Sequence, residues 1–575
     1  MVRSVLQKPL SSVKLNRNAF DVGYTNKFTS SLGMLLPCYV RECNPDEHYR
    51  INPRMFCRSM PMNSAAFIQC SQNIEFYFVP YRLLWHSFPQ WISGTKFDVS
   101  SKMPGEEKAN FPTIDLGLLF QTLLSSSSVK DVLGYPLYSG ALRLLDLLGY
   151  GDMSHISNRF SLANIESLKV SPFRLLAYQK ICNDFYRVSA YESSRVSSFN
   201  VDTLLAQTGN SLVVNTFIDN YCKLHYRPWK KDLFTISNPS FQGSDFMSQT
   251  FSAPSFPSTD GGSLRSFLPG TENSSNSFQG RVDANVSSTY SGLTVSNLRS
   301  AFALDKLYRL SSMASDGDYK SQIKARYGFD AYAPDYKSQF IGSSSAQVQI
   351  NPITTTADTL SSTGSSGTPA GRIYGNGLAD NNNDVFEYDV KEHGIIMGIS
   401  SFVPDVDYSS YGVDVMNQKI NREDFFTPEF DNLGRQPMSS LSLFPWNVEK
   451  IDATSQYRLV LSNNVLGWFP RYSEYKTHVD EVHGQLNGYL SRSSMSAPSL
   501  GVWTAPRFNS SDNTKFDNWR SNGFSKDFFY IDPSLYDSVF VNQYTGQQAE
   551  DQFICEVSNN VQAILPMSVT GEPLI

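Results

Sequence analysis

The chain has 575 residues, of which 18% are charged and 13% aromatic, with 39 Phe, 30 Tyr and a net charge of −6. That balance excludes a polycation coating nucleic acid over its whole surface, so any such contact must be local to one face or arm. No run of about 18 apolar residues occurs, which excludes a spanning helix, and the seven cysteines form no CxxC pair, which points to free thiols in a reducing compartment.

The first residues, Met1-Val2-Arg3-Ser4-Val5, lack the apolar core of a secretory leader, and a soluble protein made in the cytoplasm is expected. Arg3, Lys8, Lys14 and Arg17 all precede the first acid, Asp21, so residues 1–20 read as a basic arm. Such an arm can neutralise phosphates without reading sequence. A basic terminus arising by chance is the competing reading. The first clear strand is Asn73–Val79, where Ile74, Phe76 and Phe78 share one face by period-two alternation.

A helix is predicted from Ser171 as N-cap and Pro172 at the first helical position, with Leu175, Tyr178, Cys182 and Phe185 at helical spacing. His225-Tyr226-Arg227-Pro228-Trp229-Lys230-Lys231 then interleaves aromatics with base. Arg227, Trp229, Lys230 and Lys231 are candidates for binding a single strand, where bases stack on rings. A subunit interface, rich in the same residue types, is the equal alternative.

Residues 236–295 are dense in Ser, Gly, Asn and Pro, and 351–382 contains "TTTADTLSSTGSSGTPAG". Neither carries enough apolar residues for a core of its own, and both read as long surface excursions. Between them a second helix is predicted from about Ser296, with Leu298, Ala301, Phe302 and Tyr308 on one stripe. Further strands follow: Ala346, Val348 and Ile350 alternate with polar residues, as do Tyr457, Leu459 and Leu461, and later Phe553, Cys555 and Val557. Strands so far apart in sequence must pair over long range, which favours a Greek-key arrangement over a meander.

Motifs of catalysis are missing: there is no P-loop, no GxSxG and no HExxH. His478 and His483 are five apart, which puts them about 140° apart on a helix and on opposite faces of a strand, so no metal site is expected. No catalytic residue and no cofactor is expected either. A glycan-active enzyme would need a convergent acid pair that the sequence does not single out. An adhesin should show internal repeats, and none is seen.

Several blocks, taken in order, resemble the major capsid proteins of the Microviridae, particularly the gokushovirus-like and Bacteroidetes-associated branches. They are Gly33-Met-Leu-Leu-Pro37, Val40-Arg-Glu42, Pro45-Asp46, Phe78-Val-Pro-Tyr-Arg-Leu-Leu-Trp85, Pro172-Phe-Arg174 with Phe185-Tyr-Arg187, and Asp232-Leu-Phe-Thr235. The run continues through Asn297-Leu-Arg299, Tyr327-Gly-Phe329, Gly394-Ile-Ile-Met-Gly398, Phe426-Thr-Pro-Glu-Phe430, Gly467-Trp468 and Glu474-Tyr-Lys476. Departures are the missing glycine between Pro45 and Asp46, Pro470 in place of a usual glutamate, and the 236–295 segment.

The resemblance implies a mainly β chain: one domain over 1–575, an eight-stranded antiparallel jelly-roll barrel with long loop insertions and a few short helices. It implies about sixty copies closing into a T=1 icosahedral shell. It also implies a packaged circular single-stranded DNA, a small basic packaging or scaffolding protein, a pilot protein and a host surface receptor as partners, with no membrane insertion. The protein would be assembled in the bacterial cytoplasm and reside in the virion, with 236–295 as a protrusion toward the host.

Overall fold

A computed structural model describes residues 17–62, 69–93, 111–125, 137–152, 166–192, 218, 220–239, 306, 324, 328, 337–354, 356, 373–381, 384–409, 412–443, 445–450, 457–461, 465–484, 507–509, 512–517, 524, 526–536, 539–540, 551–567 and 569. Two compact units divide the chain, Met1–Pro239 with Tyr332–Ile575, and Ser240–Ala331. In the second unit the described residues are Lys306 and Lys324, both helical, and Gly328, whose N–H donates to the Lys324 carbonyl at 3.0 Å. The helix predicted from Ser296 and the Ser-rich segment beyond residue 239 lie outside the described residues.

The first unit is built on an antiparallel sheet. Its early strands are β1 (Asn18–Asp21), β2 (Tyr24–Ser30), β3 (Leu36–Cys43), β4 (Glu47–Ser59) and β5 (Cys70–Pro80). Helices α1 (Tyr81–Leu84), α2 (Phe88–Ser93), α3 (Leu116–Ser125), α4 (Leu137–Leu147) and α5 (Phe173–Ile181) follow, with a small pair, β6 (Ile114–Asp115) and β7 (Lys169–Val170), among them. The sheet resumes with β8 (Gln339–Thr354), β9 (Ile373–Asn381), β10 (Phe386–Val390) and β11 (Gly394–Pro404). Four two-stranded pieces decorate it. β12 (Tyr408–Ser409) runs parallel to β17 (Glu481–Val482), β13 (Arg435–Ser439) pairs with β16 (Val465–Pro470), β14 (Trp446–Lys450) with β15 (Tyr457–Leu461), and β18 (Arg507–Asn509) with β19 (Asp512–Asp517). The last strand is β20 (Phe553–Leu565).

Strand order in the main sheet is β1-β20-β4-β9-β8-β5-β11-β3, with β2 also on β20 and β10 also on β4. Long-range pairing is therefore as expected: Ser59 lies opposite Phe553 and His48 opposite Ile564. The sheet curls around an inner core that takes Tyr49, Ile51, Met55 and Cys57 from β4, Ala346 and Val348 from β8, and Phe553, Cys555 and Val557 from β20. Across it the rings of Phe402 and Phe553 stack 4.1 Å apart, the offset contact aromatic pairs favour.

The two halves of the sheet differ in cover. Ile74, Phe76 and Phe78 of β5 face the inner core, while Tyr77 and Val79 face a second core formed with the helices. β11 is buried along its whole length for the same reason. The half made by β4, β20 and β8 has one buried and one wet face, and it alternates cleanly, as half-covered sheets do.

Helix α5 begins after Pro172, one residue later than predicted, and Ser171 Oγ accepts a long 3.4 Å bond from the Phe173 N–H. Every residue of α5 except Arg174 is buried, so it is a core rod and not a one-faced surface helix. A single π-helical turn over Cys182–Tyr186 breaks the predicted spacing and leaves Phe185 38% exposed beside Tyr77. The 351–382 segment corrects the expectation of a loop at both ends. Asn351–Thr354 completes β8, residues 373–381 form β9, and the two pair in register from Gln349–Leu378 to Thr354–Ile373. The polar, small residues there tolerate a strand because one side faces water.

Candidate nucleic-acid contacts and subunit-contact surface

The basic-aromatic cluster forms a strap clipped between two other segments. His225 O accepts from Leu35 N at 3.0 Å, Arg227 N donates to Gly33 O at 2.7 Å, Arg227 O accepts from Ile531 N at 3.0 Å, and Trp229 N donates to Phe529 O at 3.0 Å. Gly33 adopts φ +78°, and a Cβ there would lie 2.6 Å from Ile531, so only glycine lets the strap pass.

Its side chains go where surface reasoning did not put them. Arg227 Nη2 lies 2.8 Å from Glu75 Oε1, Nη1 lies 2.8 Å from Ser401 Oγ, and the guanidinium sits 5.5 Å from the Tyr186 ring centroid. Glu75 also accepts from the Tyr77 hydroxyl at 2.9 Å and from Tyr186. Burial pushes the Glu75 carboxyl up, but the Arg227 charge and these hydrogen bonds outweigh it and hold it below the usual range. Trp229 is 5% exposed and packs in the inner core with Leu233 and Phe234. Arg227 and Trp229 therefore anchor the strap inside the fold, because Glu75 supplies a buried counter-charge and the core a slot for the indole. Lys230 and Lys231 remain at the surface, Lys230 paired with Asp405 at 2.5 Å.

Of the arm, Arg17 is described; Arg3, Lys8 and Lys14 lie outside the described residues. Arg17 pairs with Asp46 in the β3–β4 turn and lines a cavity of about 370 Å³ with Pro45, Glu47, His48, Asp389, Val390 and Lys391. The basic arm thus joins the fold at the head of β4. Along the wet face of β4 the side chains are His48, Arg50, Asn52, Arg54, Phe56 and Arg58, with Arg50, Arg54 and Arg58 exposed. Sequence reasoning missed this row, although "HYRINPRMFCRS" alternates visibly.

A second electrostatic feature lies where the strap meets β12. Burial first, and the neighbouring Asp480 and Asp405 next, push the Asp407 carboxyl up to about 6. A raised carboxylate favours the protonated fold: its contribution is intact below the unfolded value near 4 and is lost as pH rises through about 6. Asp407→Asn should therefore stabilise the protein at pH 7–8 by about 1 kcal/mol, reduced from the full shift because solvent reaches this half-buried group. The gain should vanish below about pH 4. Thermal unfolding of both forms across pH checks this.

An apolar patch stands on the loop beyond β12, with Tyr475 from the segment after β16 beside it. Ile420 is 85% exposed, Phe425 54%, Phe426 50% and Tyr475 45%. The loop is fixed by short-range bonds: Asp414 Oδ1 accepts from Met416 N at 2.8 Å, and Asp424 Oδ2 from Asn421 N at 2.8 Å and Ile420 N at 3.1 Å. Beneath it Lys419 Nζ lies 3.0 Å from Glu474 and 3.6 Å from the Tyr475 ring centroid, held by charge and ring face more than by an aligned hydrogen bond. Exposed apolar side chains on a rigid support mark a protein-contact surface. Nearby, His483 pairs with Glu481 at 3.3 Å and His478 Nδ1 sits 2.8 Å from the Val479 carbonyl oxygen, so the two imidazoles are separately engaged.

Comparison with known proteins bears on the whole chain. A family model described as capsid protein (F protein) matches residues 9–135 and 147–575. The capsid protein VP1 of Chlamydia phage 1 is 21% identical, over 99% of this chain and 98% of its own length. The capsid protein VP1 of Bdellovibrio phage phiMH2K is 22% identical, over 86% of each.

Proposed function

The chain belongs to the phage capsid protein (F protein) family, and from that premise we propose the shell it builds and what it holds. It is a major capsid protein of a single-stranded-DNA phage of the Microviridae, gokushovirus-like in kind, with a structural role in the virion. The observation that carries this is the match along nearly the full length of both this chain and a phage capsid protein.

The curled antiparallel sheet is read as the body of an eight-stranded jelly roll. About sixty copies would close into a T=1 shell, using repeated contacts of one surface with another. The exposed loop bearing Ile420, Phe425 and Phe426 suits such a contact, since large side chains on a fixed frame lose little entropy on docking. Circular single-stranded DNA would fill the shell, met by the arm cations Arg3, Lys8, Lys14 and Arg17 and by Lys230 and Lys231. A small basic packaging protein would offset the subunit's net −6 charge. A pilot protein and a host receptor complete the expected partners, with 236–295 as the outward protrusion and assembly in the host cytoplasm.

Expression with the phage's other structural proteins should give uniform small spherical particles that protect single-stranded DNA from nuclease. Electron microscopy and nuclease protection read both. Discrete trimers without enclosed DNA, or sugar hydrolysis by the purified chain, would overturn the reading.

A further inference from the structure

We propose that the wet face of β4 is a binding surface for single-stranded nucleic acid, with Arg50, Arg54 and Arg58 as its phosphate contacts and Phe56 as a stacking ring. This rests on the reading of the chain as a shell protein around such a strand.

The geometry is regular. Residues four apart on a strand share a face, so the three arginines repeat at about 13–14 Å and span roughly 27 Å along β4. β4 is an interior strand, held by β20 on one edge and by β9 and β10 on the other, so the row is fixed in direction. Among the described residues the Arg50 and Arg54 side chains make no ion pair or hydrogen bond, and the Arg58 guanidinium is engaged by the Phe56 ring alone, 5.3 Å away. The row therefore offers three guanidinium groups with their donors unspent. Guanidinium forks suit phosphate oxygens, and an aromatic ring between them accepts any base.

The neighbours are polar along the first part of the row, while the exposed Ile554 and Leu378 lie opposite Arg58 at its end. Gln562, Asn560 and Ser558 of β20 lie opposite Arg50, Asn52 and Arg54. Acids are present: Glu387 lies opposite Arg50, Glu556 and Asp380 flank Phe56, and Asp389 faces His48. Asp389 is taken by His48 and Glu556 by Lys27, which leaves Glu387 and Asp380 to moderate the row. Arg17 lines a cavity together with His48, the first residue of the row. Binding is thus expected to be sequence-blind, modest and steeply salt-dependent.

The test uses the full chain and labelled oligo(dT), with affinity measured against salt concentration. Arg50→Ala/Arg54→Ala/Arg58→Ala should flatten the slope of log affinity on log salt by about 2, near 0.7 per phosphate contact, and weaken binding roughly 10–100-fold near 0.1 M salt. The corresponding triple lysine variant should restore the slope. A folded alanine variant with an unchanged slope would overturn the proposal. So would a variant that binds DNA normally but no longer assembles, which would make the row a contact with a second copy. If the alanine variant does not fold, photo-crosslinking of bromodeoxyuridine oligonucleotide to the unmodified chain decides. Adducts within Glu47–Ser59 support the assignment, and adducts confined to other peptides reject it. Particles that still protect DNA while these assays fail would sink the β4 surface alone and leave the shell reading standing.

Discussion

Arg227→Met should lower the free energy of unfolding by about 3–5 kcal/mol, the range for removing one member of a buried ion pair. The Arg227 and Glu75 side chains are 19% and 14% exposed, so the carboxylate left behind has little water to turn to. Three further consequences follow. Glu75→Gln should cost less, because the amide still accepts from Tyr77 and Tyr186 and leaves a cation that is itself ringed by Tyr186 and Ser401. The double variant Arg227→Met/Glu75→Met should recover much of the loss, since apolar pairs of similar size replace buried pairs at little cost. The pH response should also change. With Arg227 in place, Glu75 is held low, so its contribution is present at neutral pH and is lost as pH falls through that depressed value. Without Arg227 burial is opposed only by the Tyr77 and Tyr186 hydrogen bonds, so the carboxyl rises, and the variant should lose less stability than the parent, or gain some, on acidification. Denaturant unfolding of the single and double variants at two pH values tests this; equal losses for both would remove the pair from its assigned role.

Deleting the segment from Phe553 onward should abolish folding of the first unit. β20 lies between β4 and the β1–β2 edge, and Phe553, Cys555, Val557, Val561, Ala563 and Leu565 all point into the inner core. Burial of four or five large apolar side chains at about 1.5–3 kcal/mol each is comparable with the whole net stability of a domain, about 5–15 kcal/mol. The truncated chain should lack cooperative unfolding by circular dichroism and should aggregate. A synthetic peptide spanning Phe553–Leu565, supplied during refolding, should recover soluble protein by restoring the missing strand. A soluble, cooperatively melting truncation would show that β4 does not depend on β20.

What was readable beforehand follows from which faces are wet. β8 and β20 alternate because one side meets water, and Ala346, Val348, Phe553, Cys555 and Val557 were placed by that pattern alone. β11 was not, since both its sides are buried and "GIIMGISSFVP" has no period to detect. The strap misled for a different reason. Arg, Tyr and Trp in succession serve equally to stack on bases or to fill a core around a buried counter-charge, and Glu75, which decides between them at Arg227, is distant in sequence. The β4 row was hidden by the opposite effect: its cations sit two and four residues apart among core residues, so no run of charge announces them.

The pairing of β4 with β20 also has a consequence in time. At about 5–20 residues per second, synthesis takes on the order of a minute to travel from β4 to the end of β20. For that interval the edge of β4 that β20 will cover has no partner from its own chain, and the inner face bearing Ile51, Met55 and Cys57 lacks the β20 side of its core. An unpaired apolar strand recruits other strands, so a polysome crowded with such nascent subunits is where misassembly would begin. Holding these chains apart until they are finished is then a demand this fold places on its host, one that grows with the rate of infection.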